Sequence, residues 1–225
     1  MKTCLLFLSL IIFCSCAEDR EATPKTNPDE APFVNIPKEN TDSALEYMQQ
    51  AQSKALNKEF KEAEKLFGMA INLDPYLSEV YSLRADLFVH QKKYEKALED
   101  YNKAAELSPN KAVVFYERGT VHLYMGHVDE GLDDYSTSIK LDPGKAAAKP
   151  YTLRGCYYLS KNDTDAAMHD FDKAVLADPR LAEAYYFRST AKVMLNDRIG
   201  ACMDLNESAK LGFKQAKEQL RRSCK

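Results

Sequence analysis

From Ala44 onward the small and bulky apolar residues of the chain return in a fixed phase. Pro75, Pro109 and Pro143 stand 34 residues apart and Pro179 follows after 36, which places two extra residues at Ala146 and Ala147. The units so defined are 44–77, 78–111, 112–145, 148–181 and 182–213. Their fourth positions are aromatic (Tyr47, Tyr81, Phe115, Tyr151, Tyr185) and their eighth positions small (Ala51, Ala85, Gly119, Gly155, Ser189). The twentieth position is small again (Ala63, Ala97, Gly131, Ala167, Ala201), and the twenty-fourth is bulky (Phe67, Tyr101, Tyr135, Phe171, Leu205). The twenty-seventh is Ala70, Ala104, Ser138, Ala174 and Ser208. Small residues on two helices let them approach closely, and bulky ones fill the space around that contact. The proline ends the second helix, because it lacks an N–H and disfavours a helical residue before it. Each unit therefore predicts a pair of helices, and the whole an all-α stack.

This small-and-bulky register resembles the tetratricopeptide repeat (TPR) over about three-quarters of the chain. The resemblance implies a right-handed α-solenoid of five helix-turn-helix units. Beyond them, Leu211-Gly212-Phe213 replaces the proline, with Gly212 a candidate left-handed helix end. A closing helix within 214–225 follows, its Ala216 and Leu220 opposite Lys217, Glu218, Arg221 and Arg222, as a solenoid end requires.

A second regularity runs through the same frame. Position 7 is Arg84, Arg118, Arg154 and Arg188, and position 23 is Asp100, Asp134, Asp170 and Asp204, while the first unit has Gln50 and Leu66 instead. Residues that appear and vanish together predict an ion pair between the two helices of each unit. The alternative, an anion-binding row of arginines, leaves the matching aspartates unexplained.

The first residues, MKTCLLFLSLIIFCSC, combine Lys2 with an apolar run from Leu5 to Phe13 that is too short to span a bilayer. Residues 1–15 read as a signal peptide. Ser15 before Cys16 resembles the lipobox of bacterial lipoproteins, which implies that Cys16 is acylated and becomes the mature N-terminus, although Phe13 departs from the usual Leu. An ordinary cleaved signal without lipid is the alternative. The acidic cluster Glu18, Asp19 and Glu21 resembles the surface-export signal of some Bacteroidota lipoproteins. Residues 16–43 hold four prolines and carry a net charge of −4, so they read as an extended linker. The expected location is the outer membrane, on its periplasmic or surface face.

An exported chain permits disulfides. Cys202 lies ten residues before Gly212 and Cys224 twelve after it, so helices folded back at that glycine bring the two cysteines level. A disulfide between them is expected, with two free thiols as the alternative; Cys156 reads as a free, buried or groove-lining thiol.

The charge of −3 and the absence of a basic run give no attraction to nucleic acid. No nucleophile triad, phosphate loop or metal-binding helix motif is present, so no enzyme, metal or cofactor is expected. His122, at the usually apolar position 11, reads as a core histidine. The TPR resemblance implies a concave groove lined by positions 2, 5, 9, 12 and 13, where a partner peptide or helix lies. Those positions include Val89, His90, Tyr116, Thr120, Leu123, Tyr124, Thr152, Cys156, Leu159, Tyr186, Thr190, Val193 and Met194. They lack the Lys and Asn set with which similar chaperone adaptors clamp a C-terminal carboxylate. The leading expectation is a non-catalytic envelope adaptor; a self-assembling structural protein and a regulatory subunit of an enzyme complex are the alternatives.

Overall fold

The computed structural model describes residues 36–224. The signal segment, Cys16 and the first part of the linker lie outside them. Among the described residues are eleven α-helices: α1 (Lys38–Leu56), α2 (Phe60–Leu73), α3 (Ser78–His90), α4 (Tyr94–Leu107), α5 (Ala112–Met125), α6 (Val128–Leu141), α7 (Ala148–Ser160), α8 (Thr164–Ala177), α9 (Ala182–Met194), α10 (Arg198–Lys210) and α11 (Lys214–Ser223). The extra residues before the fourth unit form a 3-10 turn over Lys145–Ala147, with Ala147 fully buried. The result is a solenoid of five helical hairpins closed by α11.

The hairpins are held at the small positions. Ala51, Ala63, Ala85 and Ala97 have no exposed surface. A Cβ added at Gly119 would lie 2.9 Å from the carbonyl oxygen of Gly131, a backbone atom that cannot swing aside. Overpacking such a contact costs about 1–3 kcal/mol. At position 24 Phe67, Tyr101, Tyr135, Phe171 and Leu205 are all buried beside it. The position-4 rings are less enclosed than this, four of the five being half-buried.

The turns also repeat. In the first four units the second helix ends on a residue held extended before the proline, with φ −136° at Asp74 and φ −139° at Ser108, as proline demands of its neighbour. Between the two helices of every unit, position 15 adopts positive φ: Lys58, Lys92, Gly126, Asn162 and Asn196. The linker is shorter than the sequence reading placed it, because residues 38–43 belong to α1. Pro37 presets φ at −55° and its carbonyl accepts the N–H of Asn40. Thr41 then donates to Asp74 Oδ2 at 2.9 Å, fixing the added turn to the end of α2.

The four arginines at position 7 do meet their aspartates. Arg118 donates through Nε and Nη2 to the two Asp134 oxygens at 2.8 and 2.7 Å. Arg84–Asp100, Arg154–Asp170 and Arg188–Asp204 form the same fork. The remaining nitrogen of three of them reaches position 25 of the preceding unit: Arg118 to Asn102, Arg154 to Ser136 and Arg188 to Asp172. Each guanidinium also stands over the position-4 ring, at 5.2 Å for Arg118 over Phe115. These ion pairs thus bind helix to helix and unit to unit.

At the far end Phe213 packs on Tyr186 at 5.0 Å between ring centres, and Ala216 is fully buried. Cys202 and Cys224 are joined by a disulfide with Cα atoms 5.7 Å apart, which ties α11 to α10.

Two stability measurements follow from this. Arg118→Ala leaves Asp134 buried without its cation and is expected to cost about 3 kcal/mol in chemical denaturation. Arg118→Lys should recover less than half of that, since lysine cannot make the planar fork; full recovery would show that charge alone suffices. Cys224→Ser opens a loop of 22 residues and is expected to lose about 3 kcal/mol. A reductant should then lower the melting temperature of the native chain and leave that of the variant unchanged.

Candidate functional site

Three cavities follow one another along units one to four and share walls. The first, about 430 Å³, is walled by Ala55, Leu56 and Phe60 of the first unit and by Leu83, Asp86, Leu87 and His90 of α3. The second is a narrow waist of about 170 Å³ that shares Leu83 and Asp86 with the first and adds Glu79, Tyr101, Lys111, Val113 and Glu117. The third, about 600 Å³, shares Val113 and Glu117 with the waist and adds Tyr116, Ala146, Ala148, Lys149 and Leu181. Leu83 and Asp86 stand at positions 6 and 9 of α3, and Val113, Tyr116 and Glu117 at positions 2, 5 and 6 of α5, so the repeat itself aligns them. The third cavity opens where the two-residue insertion interrupts the 34-residue period. Its size lies in the range of small ligand pockets.

The electrostatics concentrate at the waist. Burial raises the proton affinity of Asp86, opposed by the Tyr101 hydroxyl, which donates to Asp86 Oδ1, and by His90. Glu117 is likewise raised, by burial first and then by the charge of Asp86, with Lys149 opposing from a distance. Burial pushes the Tyr116 phenol up to about 12, so it stays neutral and able to donate; its ring stacks on Tyr135 at 6.0 Å. The third cavity is balanced internally, Lys145 lying 3.6 Å from Asp178.

Of the residues expected to line a groove, His90 and Tyr116 face these cavities. Tyr124 is exposed and leans on Tyr94 at 5.4 Å. Thr120 donates to the Tyr116 carbonyl and shares a 3.1 Å hydrogen bond with the Tyr135 hydroxyl. Leu123 covers Gly131, and Val89, Cys156 and Leu159 pack against apolar clusters that join their units to the next. Thr152 is a correction: it is buried and its hydroxyl donates to the Ala148 carbonyl at 2.8 Å, because the insertion turn brings the start of α7 inward. Tyr186 is covered by Phe213, while Thr190 bonds to the Tyr186 carbonyl. Val193 and Met194 are exposed at the α9–α10 turn beside Leu195 and Ile199.

The sequence reading missed Asp86 and Glu117. A signal was present for the second: position 6 reads Leu83, Leu153 and Phe187 in units two, four and five and Gln49 in the first, so Glu117 is the one charged residue at that place.

Two family models match within the array, a TPR repeat over residues 85–126 and a tetratricopeptide repeat over 148–181. The chain carries tetratricopeptide repeats at those residues. Among solved structures, this TPR chain is similar to PilF of Pseudomonas aeruginosa, at 15% identity and a TM-score of 0.72, over 79% of this chain and 80% of that one. It is similar to MamA of Desulfovibrio magneticus RS-1 at 19% identity and a TM-score of 0.63, over 76% and 95%. YrrB, described as a TPR protein with an unusual peptide-binding site, aligns at 19% identity and a TM-score of 0.61, over 82% and 94%. At these identities the likeness speaks to the fold. No curated protein sequence matches the chain.

Neither of two other reactive side chains enters the cavities. Burial pushes the Cys156 thiol up to about 12, so it is not a thiolate at neutral pH. His122 is lowered by burial, its Nδ1 has no partner, and its Nε2 lies 3.9 Å from Asp134 Oδ2. A base whose folded value is depressed contributes stability above its ordinary value of 6.5; that contribution is lost as pH falls through the folded value. His122→Phe, which copies Phe88 at the same position of the second unit, should therefore melt with a smaller drop between pH 8 and pH 5 than the native chain. An equal drop would remove His122 from the account.

Proposed function

We propose that this chain is a non-catalytic adaptor of the bacterial cell envelope, anchored in the outer membrane by lipid on Cys16, which seats a peptide or helix of a partner protein in its groove. The observation that carries the reading is the run of three wall-sharing cavities, because an uninterrupted channel suits one continuous segment better than a small metabolite. Two features support it: TPR arrays present such surfaces as a consequence of stacking, and YrrB is described by a peptide-binding site. The anchor is placed in the leader because Ser15-Cys16 resembles the lipoprotein signal; no helix among the described residues is long and apolar enough to cross a membrane.

The two halves of the proposal separate experimentally. A photo-reactive residue at Val113, half-exposed on the groove wall, should capture a defined partner in the native cell, whereas the same residue at the exposed Lys173 of α8 should not. Equal capture from both positions would refute the groove. Cys16→Ser should move the protein from the membrane to the soluble fraction; retention in the membrane would refute the lipid anchor while leaving the groove intact.

A further inference from the structure

The buried aspartates at position 23 each have an arginine of their own unit forked onto them. The carboxylates at the groove waist do not. Among the described residues Asp86 accepts a hydrogen bond only from the neutral Tyr101 hydroxyl, with His90 acting on it through space. Glu117 accepts no side-chain hydrogen bond from the described residues, and Lys149 acts on it through space. Two partly desolvated anions close enough to feel each other are costly to keep ionised, and among the described residues no cation is hydrogen-bonded or ion-paired to either, although Lys111 lines the same cavity and His90 and Lys149 act through space. Their placement gives the second observation: the waist joins an apolar socket around Leu56, Phe60 and Leu87 to a second socket around Tyr116 and Leu181.

Resting on the adaptor reading above, we infer that the groove selects a partner segment carrying a lysine or arginine between two apolar anchors. The anchors enter the flanking sockets, and the cation is received at the waist by Asp86 and Glu117. Charge complementarity decides the choice of occupant. An acidic segment would bring a further anion to a place already lined by Glu79, Asp86 and Glu117, and a wholly apolar one would leave Asp86 and Glu117 dry and unpaired. The incoming ammonium or guanidinium supplies what arginine supplies at position 23. Glu117, standing where units two, four and five carry Leu or Phe, is the specificity-determining residue.

The test is selection of a display library of random dodecapeptides against the purified full chain, repeated on Glu117→Gln and Glu117→Lys, with circular dichroism confirming that each variant is helical. The native chain should enrich one Lys or Arg flanked by apolar residues. The selected peptide should lose about tenfold in affinity on Glu117→Gln, as expected for one charge-assisted contact. Glu117→Lys should shift the enrichment to Asp or Glu. Should apolar residues be enriched without a basic one, or should the basic preference survive both substitutions, the waist assignment is overturned while the peptide groove stands. If no peptide is enriched by the native chain, the inference and the groove fall together.

Discussion

The architecture depends on one steric constraint, the near-zero clearance between the two helices of each unit at positions 8 and 20. Where those residues are Ala, Gly or Ser, the backbones come close enough for a single bulky side chain at position 24 to seal the space beside them. Larger residues would push the hairpin apart and expose that side chain. Gly119 and Gly131 show the limit, for neither has room for a methyl group without displacing a neighbour. Everything functional is downstream of this contact, because it sets how far the first helices of successive units stand from one another.

Onto this apolar frame the chain adds a polar lattice. Buried ion pairs are weak sources of net stability, since desolvation offsets most of their attraction, but they penalise any arrangement that leaves one member alone. Four copies of the Arg–Asp fork, three of them reaching into the unit before, therefore fix the order and register of units more than they hold each unit together. The same rule makes the groove waist informative. A protein that answers its four buried position-23 aspartates with arginine leaves the waist carboxylates without one.

Most of the fold was legible in the sequence because its determinants are local and repeated. Five concordant copies of the small and bulky positions define the hairpins, and the joint appearance of Arg and Asp identifies contacting residues without any structure. The closing disulfide was legible for a related reason, since Gly212 marks a fold-back point from which equal distances can be counted. What escaped was set by neighbours that no single unit contains. The left-handed residue at position 15 is announced by Gly126, Asn162 and Asn196 but not by Lys58 or Lys92, where the backbone bonds that close the preceding helix accompany it. The early start of α1 depends on a bond from Thr41 to a residue 33 positions away. Groove positions were assigned by repeat number alone, which assumes identical stacking at every seam; the insertion at Ala146 and Ala147 breaks that assumption and turns Thr152 inward.

The two ends of the array are built differently. At one end α11 is stapled covalently to α10; at the other, the first unit has Gln50 and Leu66 where the rest have a charged fork, and Gly68 where its neighbours offer a side chain to the next arginine. In a stack whose units contact only their neighbours, loosening begins at whichever terminus is least secured. The molecule therefore has a direction of unzipping, from α1 inward. The apolar socket shared by the first and second units is the first part of the groove to be lost when it does.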